Sequence, residues 1–543
     1  MKKFLAKLFA AAIAATCAFS AMAGCGGAGA DPNTLTIRAA NTGFNLNCIT
    51  AIAKEFARIE KCKVKIESTA IMDQDLNKLI NNYEMEDIFF ISGTNKAPDV
   101  IRQKKFLEID DVWNSVPDGE DKPIKDKVFA TFRDDSYNYD GHYYSLPYEV
   151  QLGGIAYNKT TLDEVYGEGK WTLPRTSDEF TDMAKDVTSR GAWGVTFTTS
   201  QPYWTLAIKT WAVQYHGVEE YTRLASGYYK KADGTWEFSQ NGECLDQTIG
   251  QLRTYEAVYN IMNKQQGICS TFCDAMDFAQ MQTSFAGLGY KPADEKKVAF
   301  TPTGAWLFEE NNEDFAYAGT TPGFFNVVLS AAVERLSFYE EKGTDYYSLS
   351  AAKRKAYDGA LSELIEYADK VKAGEEVAVP TTAGGFTVTA DDVAAVSEMR
   401  SLRHVDSQPN VGIAHNSKKV ELAKKFLTFY ASDYAGEIYA ANCHGVTPFC
   451  YDKREITPET PLFDREVSEM LSGGVNLIPS FSRKPYGSLN WFSEEGYFYT
   501  NEDASKERYN TPEKAFNGFF KAINKSNWKE IVRKSGNADK LVN

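Results

Sequence analysis

The region that follows the amino terminus carries two kinds of hydrophobic pattern. Thr34–Ala40 (TLTIRAA) alternates apolar and polar side chains, which is typical of a strand. Ile49, Ile52 and Phe56 then recur at helical spacing. The same patterns continue as a strand at 62–68 (CKVKIES), a helix near 73–83 and a strand at 87–92 (DIFFIS). The predicted order is therefore strand, helix, strand, helix, strand.

This alternation predicts an α/β fold, with helices on both faces of a mainly parallel sheet. In such sheets ligands bind in the crevice outside the carboxyl ends of the strands. Residues 41–45 and 92–95 follow the first and third predicted strands, so we expect their polar side chains to line that crevice. Asn41 and Thr94 are the candidates there, and the alternative for each is an ordinary turn residue.

The amino terminus has the features of an export signal. Lys2, Lys3 and Lys7 precede an apolar run at 8–19 and a stretch of small residues. The run is shorter than the roughly 20 residues that a membrane-spanning helix needs, so it indicates a secretory signal over residues 1–24. We therefore expect the mature protein to be exported.

The end of that signal, Met22-Ala23-Gly24-Cys25, resembles the lipobox of bacterial lipoproteins. The resemblance implies that Cys25 is diacylated and becomes the first residue of a lipid-anchored protein. Residues 25–32 are rich in Gly and Ala, as a flexible tether requires. The alternative is ordinary cleavage after Ala23, which leaves Cys25 unmodified.

Length, charge and composition narrow the choice of partner. The chain has 543 residues, enough for two large lobes, and 13% of them are aromatic. It carries 59 Lys and Arg against 74 Asp and Glu, a net charge of −15, with no basic tract in its body. Nucleic acid is therefore excluded as an expected partner, because phosphate binding needs clustered Lys and Arg.

The cysteines predict neither a metal site nor a clear disulfide framework. Cys48 and Cys62 flank one predicted helix of about 14 residues, so about 21 Å separates them and they cannot be bridged. Cys443 and Cys450 are close enough in sequence to close a short loop. His444 lies beside Cys443, but the paired spacing of a zinc site is missing, and we expect no metal and no cofactor.

Five further segments, in order, carry a family resemblance. The first is a DG hairpin at Asp140-Gly141, followed by YSLPYEVQLGG and IAYNKTTLDE. The others lie at 171–182, 191–195 (GAWGV), 299–309 (AFTPTGAWLFE) and 410–448. Together they resemble the extracellular solute-binding proteins of ABC importers, in the maltose- and oligosaccharide-type group. The resemblance implies a two-lobed, periplasmic-binding-protein-like fold of type II, with a hinge between the lobes.

The resemblance also implies how the chain is divided. Lobe 1 is expected to hold residues 31–150 and 409–445, and lobe 2 residues 151–408 and 446–543. Trp306 and Val411 are farther apart than in shorter members of the family, so we expect an insert at about 320–405. Helical patterns near 349–372 and 391–402 predict that the insert is structured.

Sugar binding would account for the aromatic content. Sugar rings present apolar faces beside rims of hydroxyl groups, so a site needs flat aromatic side chains together with carboxylates, amides or guanidinium groups. The family's ligand segments place Tyr148 and Glu149 at the hinge. Farther along the chain they contain Tyr203, Trp204 and Trp306. For the two tryptophans the alternative is packing in a core.

The expected function is capture of a carbohydrate and its delivery to the membrane subunits of an ABC permease, by a lipid-anchored monomer. We expect no enzymatic activity. The alternatives are an exported carbohydrate-active hydrolase and a surface sugar-binding adhesin. A hydrolase needs two carboxylates about 5 to 10 Å apart, and adjacent pairs such as Asp110-Asp111 cannot supply them because neighbouring side chains diverge.

Overall fold

The computed structural model describes most of the chain after the expected signal and tether. The described residues are 31, 33–41, 45–92, 96–133, 137–139, 141–200, 203–289, 296–406, 409–449, 456–472, 476–478, 484–491, 496–499 and 509–542. The expected signal, Cys25, Thr94 and Cys450 lie outside the described residues.

The described strands and helices alternate through most of the chain. The strands are β1 (Thr34–Ala40), β2 (Lys63–Thr69), β3 (Ile88–Ile91), β4 (Asn138–Tyr139), β5 (His142–Tyr143), β6 (Leu146–Pro147), β7 (Gln151–Asn158), β8 (Trp193–Val195), β9 (Tyr228–Lys230), β10 (Trp236–Phe238), β11 (Val298–Gly304), β12 (Pro322–Phe325), β13 (Thr382–Ala383), β14 (Phe386–Thr387), β15 (Leu402–Asp406), β16 (Asn410–Ile413) and β17 (Asn476–Ile478). The helices are α1 (Asn45–Ile59), α2 (Met72–Ile80), α3 (Ala97–Arg102), α4 (Asp110–Asn114), α5 (Lys159–Tyr166), α6 (Ser177–Ser189), α7 (Trp204–His216), α8 (Val218–Ala225), α9 (Ile249–Met262), α10 (Phe278–Phe285), α11 (Leu307–Ala318), α12 (Ala351–Lys372), α13 (Ala390–Ser401), α14 (Val420–Tyr430), α15 (Asp433–Asn442), α16 (Leu462–Leu471), α17 (Gly496–Tyr499), α18 (Pro512–Lys514), α19 (Ala522–Ser526) and α20 (Trp528–Lys534). A π-helix at Ala515–Lys521 connects α18 to α19.

The first sheet has the strand order β2-β1-β3-β16-β6. β1 pairs in parallel with β2 and β3, whereas β16 is antiparallel to β3 and β6. Leu35, Ile37 and Ala39 are buried on one face of β1, as the alternation in the sequence predicts. On the helical side, Phe56 of α1 meets Phe426 of α14 edge to face, with ring centroids 5.1 Å apart. The predicted strand, helix, strand, helix, strand beginning is confirmed.

The second sheet has the order β17-β15-β7-β11-β8, with β12 also paired to β7. β7 is antiparallel to β11, β12 and β15, whereas β8 is parallel to β11 and β17 is parallel to β15. β7 has partner strands on both edges, and all of its residues except Gln151 are buried. This sheet forms its own hydrophobic core with α6, α7 and α9.

The two helices predicted between Trp306 and Val411 are present as α12 and α13. Each begins at a residue whose side chain caps it: Ser350 accepts from the Lys353 N–H, and Thr389 forms a capping box with Asp392. α12 is tied to the body of the protein by a buried hydrogen bond of 2.8 Å from the Thr176 hydroxyl to Asp358. The segment is therefore packed against the second sheet's core.

Candidate functional site

The chain crosses between the two sheets at β6 to β7 and again at β15 to β16. A third segment, which follows α15, lies beside the first crossing, where the Val150 N–H donates to the Val446 carbonyl at 3.0 Å. The carboxyl ends of β1 and β3 belong to the first sheet. The ends of these two strands lie on the first-sheet side of the junction between the sheets.

A polar cluster bridges the first sheet and the crossing. The Gln151 amide donates to the Ser92 hydroxyl at 3.2 Å, and it also hydrogen-bonds the Glu149 carboxylate. Ser92 directly follows β3, and Glu149, only 3% exposed, lies within the crossing itself. A buried carboxylate needs hydrogen-bond donors to replace the water it has lost. The sheet end and the crossing are thus linked through side chains that can also bind hydroxyl groups.

Tyr148 is buried beside this cluster. Its ring packs edge to face against Phe90, with centroids 5.0 Å apart, and its carbonyl accepts from the Tyr430 hydroxyl at 3.2 Å. Burial, followed by the charge of Glu149, raises the pKa of Tyr148, while a hydrogen bond to Ser92 opposes that shift. Tyr148 therefore remains a neutral hydroxyl donor at physiological pH.

Three aromatic side chains from separate segments meet near the end of β11. Tyr203 and Phe278 are stacked nearly parallel, with centroids 5.0 Å apart, and the Trp306 ring lies 6.5 Å from Tyr203. The Trp306 and Tyr203 rings are inclined to each other at 48°. Burial, followed by the charge of Glu310, raises the pKa of Tyr203. We call Tyr203, Phe278 and Trp306 the aromatic group.

The register of the second sheet brings the aromatic group toward the polar cluster. Gly304 of β11 pairs with Gly153 of β7, and the next residue, Ala305, donates its N–H to the Leu152 carbonyl at 2.8 Å. Trp306 therefore leaves the strand opposite Gln151. Apolar ring faces and polar hydrogen-bonding groups lie on neighbouring positions, as a sugar site requires.

Of the two remaining described candidates, Trp204 lies in a core and Asn41 lies beside the polar cluster. Trp204 is only 2% exposed and belongs to the core of the second sheet, with its ring centroid 6.4 Å from that of Trp211. Its position is that of a packing residue, and a role in binding stays a prediction. Asn41 is exposed directly after β1, where its N–H donates to the Thr69 carbonyl at 2.9 Å. Because Ala39 and Phe90 are paired, Asn41 and Ser92 are neighbours at the ends of adjacent parallel strands.

Ser92, Gln151 and Phe278 join the site without having been singled out from the sequence. Ser92 falls in a loop that was expected to line the crevice, and Gln151 lies in the segment that carried the family resemblance. Because they lie in these two segments, the sequence could have identified both Ser92 and Gln151. Phe278 has no such signal, because it is far in sequence from Tyr203 and Trp306 and opens an ordinary helix with an Asp277 cap.

One group of described residues brings three metal-ligating atoms within 4.8 Å of one another: Glu108, Asp110 and His142. The group is substantially exposed, and hydrogen bonds account for it. His142 Nδ1 lies 2.8 Å from Asp110 Oδ2, and the Tyr143 N–H donates to Asp110 Oδ1 at 2.7 Å. These contacts fix the β4–β5 hairpin against α4, and the group is structural.

The comparison with protein families decides the identity of the fold. The family model of bacterial extracellular solute-binding proteins matches residues 49–333, more than half of the chain. The chain belongs to this family. A search of curated protein sequences finds no match. Within the described residues of this solute-binding protein, no helix has both the length and the hydrophobicity to cross a bilayer.

Solved structures of other solute-binding proteins share the architecture. Apo RafE from Streptococcus pneumoniae has 13% identity over 90% of this chain and 97% of RafE, with a TM-score of 0.54. The GacH receptor of Streptomyces glaucescens, solved unliganded and with acarbose and an acarbose homolog, has 13% identity over 92% of this chain and 98% of GacH, with a TM-score of 0.52. Lmo0181 from Listeria monocytogenes, solved with cycloalternan, has 14% identity over 91% of this chain and 99% of Lmo0181, with a TM-score of 0.50.

At these identities the likeness shows the fold alone. The expected two-lobed, periplasmic-binding-protein-like α/β fold is thereby confirmed for this solute-binding protein. The family is defined by binding of solutes outside the cytoplasm, and the neighbours are themselves binding proteins or receptors. Membership of this family supports the expectation of a binding protein.

Proposed function

We propose that this protein is a lipid-anchored receptor that captures an oligosaccharide between its two lobes and delivers it to an ABC permease. The observation that carries the proposal is the aromatic group beside the polar cluster, at the junction of the two sheets. The aromatic faces are suited to the apolar faces of sugar rings, and Glu149 and Gln151 are suited to hydroxyl groups.

The proposed lobes follow the chain crossings. Lobe 1 is assigned residues 31–150 and 409–445, and lobe 2 residues 151–408 and 446–543. The site takes Asn41, Thr94, Tyr148 and Glu149 from lobe 1, and Tyr203 and Trp306 from lobe 2, while Trp204, buried in the core of the second sheet, acts by packing. Ligand contacts from both lobes would favour a closed arrangement over an open one, so binding shifts the hinge equilibrium.

Related binding proteins support the substrate class. RafE, whose complex with raffinose has a TM-score of 0.51 to this chain, GacH and Lmo0181 were each solved with a carbohydrate or a carbohydrate-like inhibitor. The lipid on Cys25 would hold the receptor at the outer face of the membrane, near its permease.

Isothermal titration calorimetry with a panel of raffinose, maltotriose, acarbose and glucose tests the proposal. We expect at least one oligosaccharide to bind more tightly than glucose and to be recovered intact by chromatography after prolonged incubation. Release of shorter sugars would support the hydrolase alternative. Binding of no member of the panel, with the fold intact by circular dichroism, would overturn the carbohydrate assignment.

A further inference from the structure

A cavity that contains none of the proposed sugar-site residues is lined entirely by residues between positions 324 and 472. Its volume is about 950 Å³, which is in the range of small-molecule sites. The carboxyl-terminal ends of α12 and α13, helix α16 and the end of β12 surround it. Phe324, Phe325 and Met470 supply apolar surface, and Lys372, Arg400 and Arg403 supply three cations.

Arg403 is the most buried of these cations. It lies on β15 and is only 5% exposed. Its Nη1 donates to the carbonyls of Arg400 and Leu402, both at 2.7 Å. Its Nε has no hydrogen-bond partner, and no carboxylate oxygen of the described residues lies within 4.0 Å of the guanidinium group. A buried cation without a counter-charge is costly, so this group indicates a missing anion.

The other two cations, Arg400 and Lys372, differ in whether a carboxylate pairs with them. Arg400 forms a two-point ion pair with Asp369, at 2.7 and 3.1 Å, and donates to the Asn326 carbonyl. Lys372 lies at the mouth of the cavity, where its ammonium group donates to the Glu469 carbonyl at 2.9 Å. No described carboxylate oxygen lies within 4.0 Å of the Lys372 ammonium either. Two cations of the cavity therefore have no acidic partner.

The other carboxylates that line the cavity either bind different residues or make no ion pair with Arg403 or Lys372. Glu466 accepts from the Tyr157 hydroxyl at 2.6 Å and from the Phe324 N–H at 2.7 Å. Glu398 pairs with Arg335 at 3.1 Å. Glu469 contacts Lys372 through its backbone carbonyl rather than through its carboxylate. Among the described residues, the acidic groups therefore form no ion pair with Arg403 or Lys372, although the charge of Asp369 acts on both cations and that of Glu469 acts on Lys372.

The ionisation of these groups agrees with the geometry. Burial, followed by the charge of Arg400, lowers the pKa of Arg403 to about 9. Desolvation, followed by the charges of Arg403 and Arg400, lowers the pKa of Lys372. Burial raises the pKa of Glu466 to about 7, which reduces the negative charge of the wall. The shifts of Arg403 and Lys372 are in the direction expected for desolvated cations that repel one another.

We propose that this cavity is a second binding site, for a small solute that carries a phosphate or carboxylate group. The oxyanion would take hydrogen bonds from Arg403 and an ion pair from Lys372, and the apolar part of the solute would contact Phe324 and Met470. The site is separate from the proposed sugar site, and its occupancy requires no sugar.

Calorimetry and thermal shift on the purified full-length protein, with inorganic phosphate and with succinate, test the proposal. Sodium chloride at matched ionic strength is the reference for non-specific salt effects. We expect phosphate or succinate to raise the melting temperature above the chloride reference. The anion that does so identifies whether a phosphate or a carboxylate is preferred.

Lys372→Gln and Arg403→Gln should each weaken that binding at least tenfold. Lys372 lies at an exposed position, so its variant remains folded even if the Arg403 variant does not. Lys370→Gln is the matched control, because Lys370 is on the same helix but pairs with Glu366 outside the cavity. Equal shifts with chloride and with both oxyanions, or undiminished binding by Lys372→Gln, would overturn the proposal.

Discussion

The Trp306 indole lies directly on the backbone of Gly304: a Cβ at position 304 would come within 2.0 Å of the ring carbon Cζ3. Glycine is therefore the residue that lets the ring fold back over the end of β11, toward Tyr203. The glycine two residues before Trp306 therefore controls the orientation of the Trp306 ring within the aromatic group.

Gly304→Ala should displace the indole without emptying a core. We expect an affinity for oligosaccharide that is weaker by about tenfold, which corresponds to about 1.4 kcal/mol. Calorimetry measures the affinity and thermal unfolding measures the stability. Gly359→Ala is the control: Gly359 lies in α12 with no atom within 4 Å of a Cβ, so the change should stabilise by about 0.5–1 kcal/mol and leave affinity unchanged. Unchanged binding by Gly304→Ala would contradict the assignment of Trp306 to the site.

Trp306→Ala should lose affinity more than stability. Stacking of a ring on a flat ligand is worth about 1 to 3 kcal/mol, so the dissociation constant should rise roughly 5- to 150-fold. Trp306 is only partly buried, and its removal leaves no closed cavity. If unfolding free energy instead falls by about 3 to 5 kcal/mol while the folded fraction binds normally, the residue serves packing.

Trp204→Ala, in contrast, should lose stability more than affinity. Trp204 is enclosed by the core of the second sheet, so truncation should cost about 3 to 5 kcal/mol of unfolding free energy. Chemical denaturation of the variant beside Trp306→Ala measures the contrast. A Trp204 variant of normal stability and reduced affinity would show that this side chain contacts ligand after all.

Asp358 should make the protein less stable at neutral pH than at about pH 4. Burial, followed by the charge of Asp178, raises the pKa of Asp358 to about 7, above its value near 3.8 in the unfolded chain. The folded state therefore binds the proton more tightly, and stability falls as pH rises from about 4 to about 7. Asp358→Asn, which stays neutral, should reduce the difference in melting temperature between pH 5 and pH 8. A variant with the same pH dependence as the parent would exclude Asp358 as its source.

Cys25→Ser should abolish the lipid anchor. Acylation needs the thiol, so the variant should be released into the medium or should retain its signal. Membrane fractionation with detergent partition measures the outcome, and Cys62→Ser, which changes a partly buried thiol of the body, is the control. A processed Cys25 variant that remains in the detergent phase would contradict the lipoprotein assignment.

Local sequence signals determined the elements of this fold. The alternation in Thr34–Ala40, the helical spacing from Ile49 and the caps at Ser350 and Thr389 each act over a few residues, so the chain displays them directly. The position of the segment around Tyr148 and Glu149 was also predictable from the sequence, because a hairpin and a buried strand flank it. Family resemblance then supplied the two-lobed arrangement, which the family match confirms.

Only the tertiary structure decided which side chains meet. Periodicity reports which face of an element is buried, but it does not report which other element covers that face. Trp204 and Trp306 both stand at the start of a helix, yet one is enclosed by a core and the other faces Tyr203. Phe278 joins that group, and Arg403 reaches a cavity where no described carboxylate pairs with it, because distant segments pack together there. Such contacts depend on chain crossings and sheet register, which no local pattern encodes.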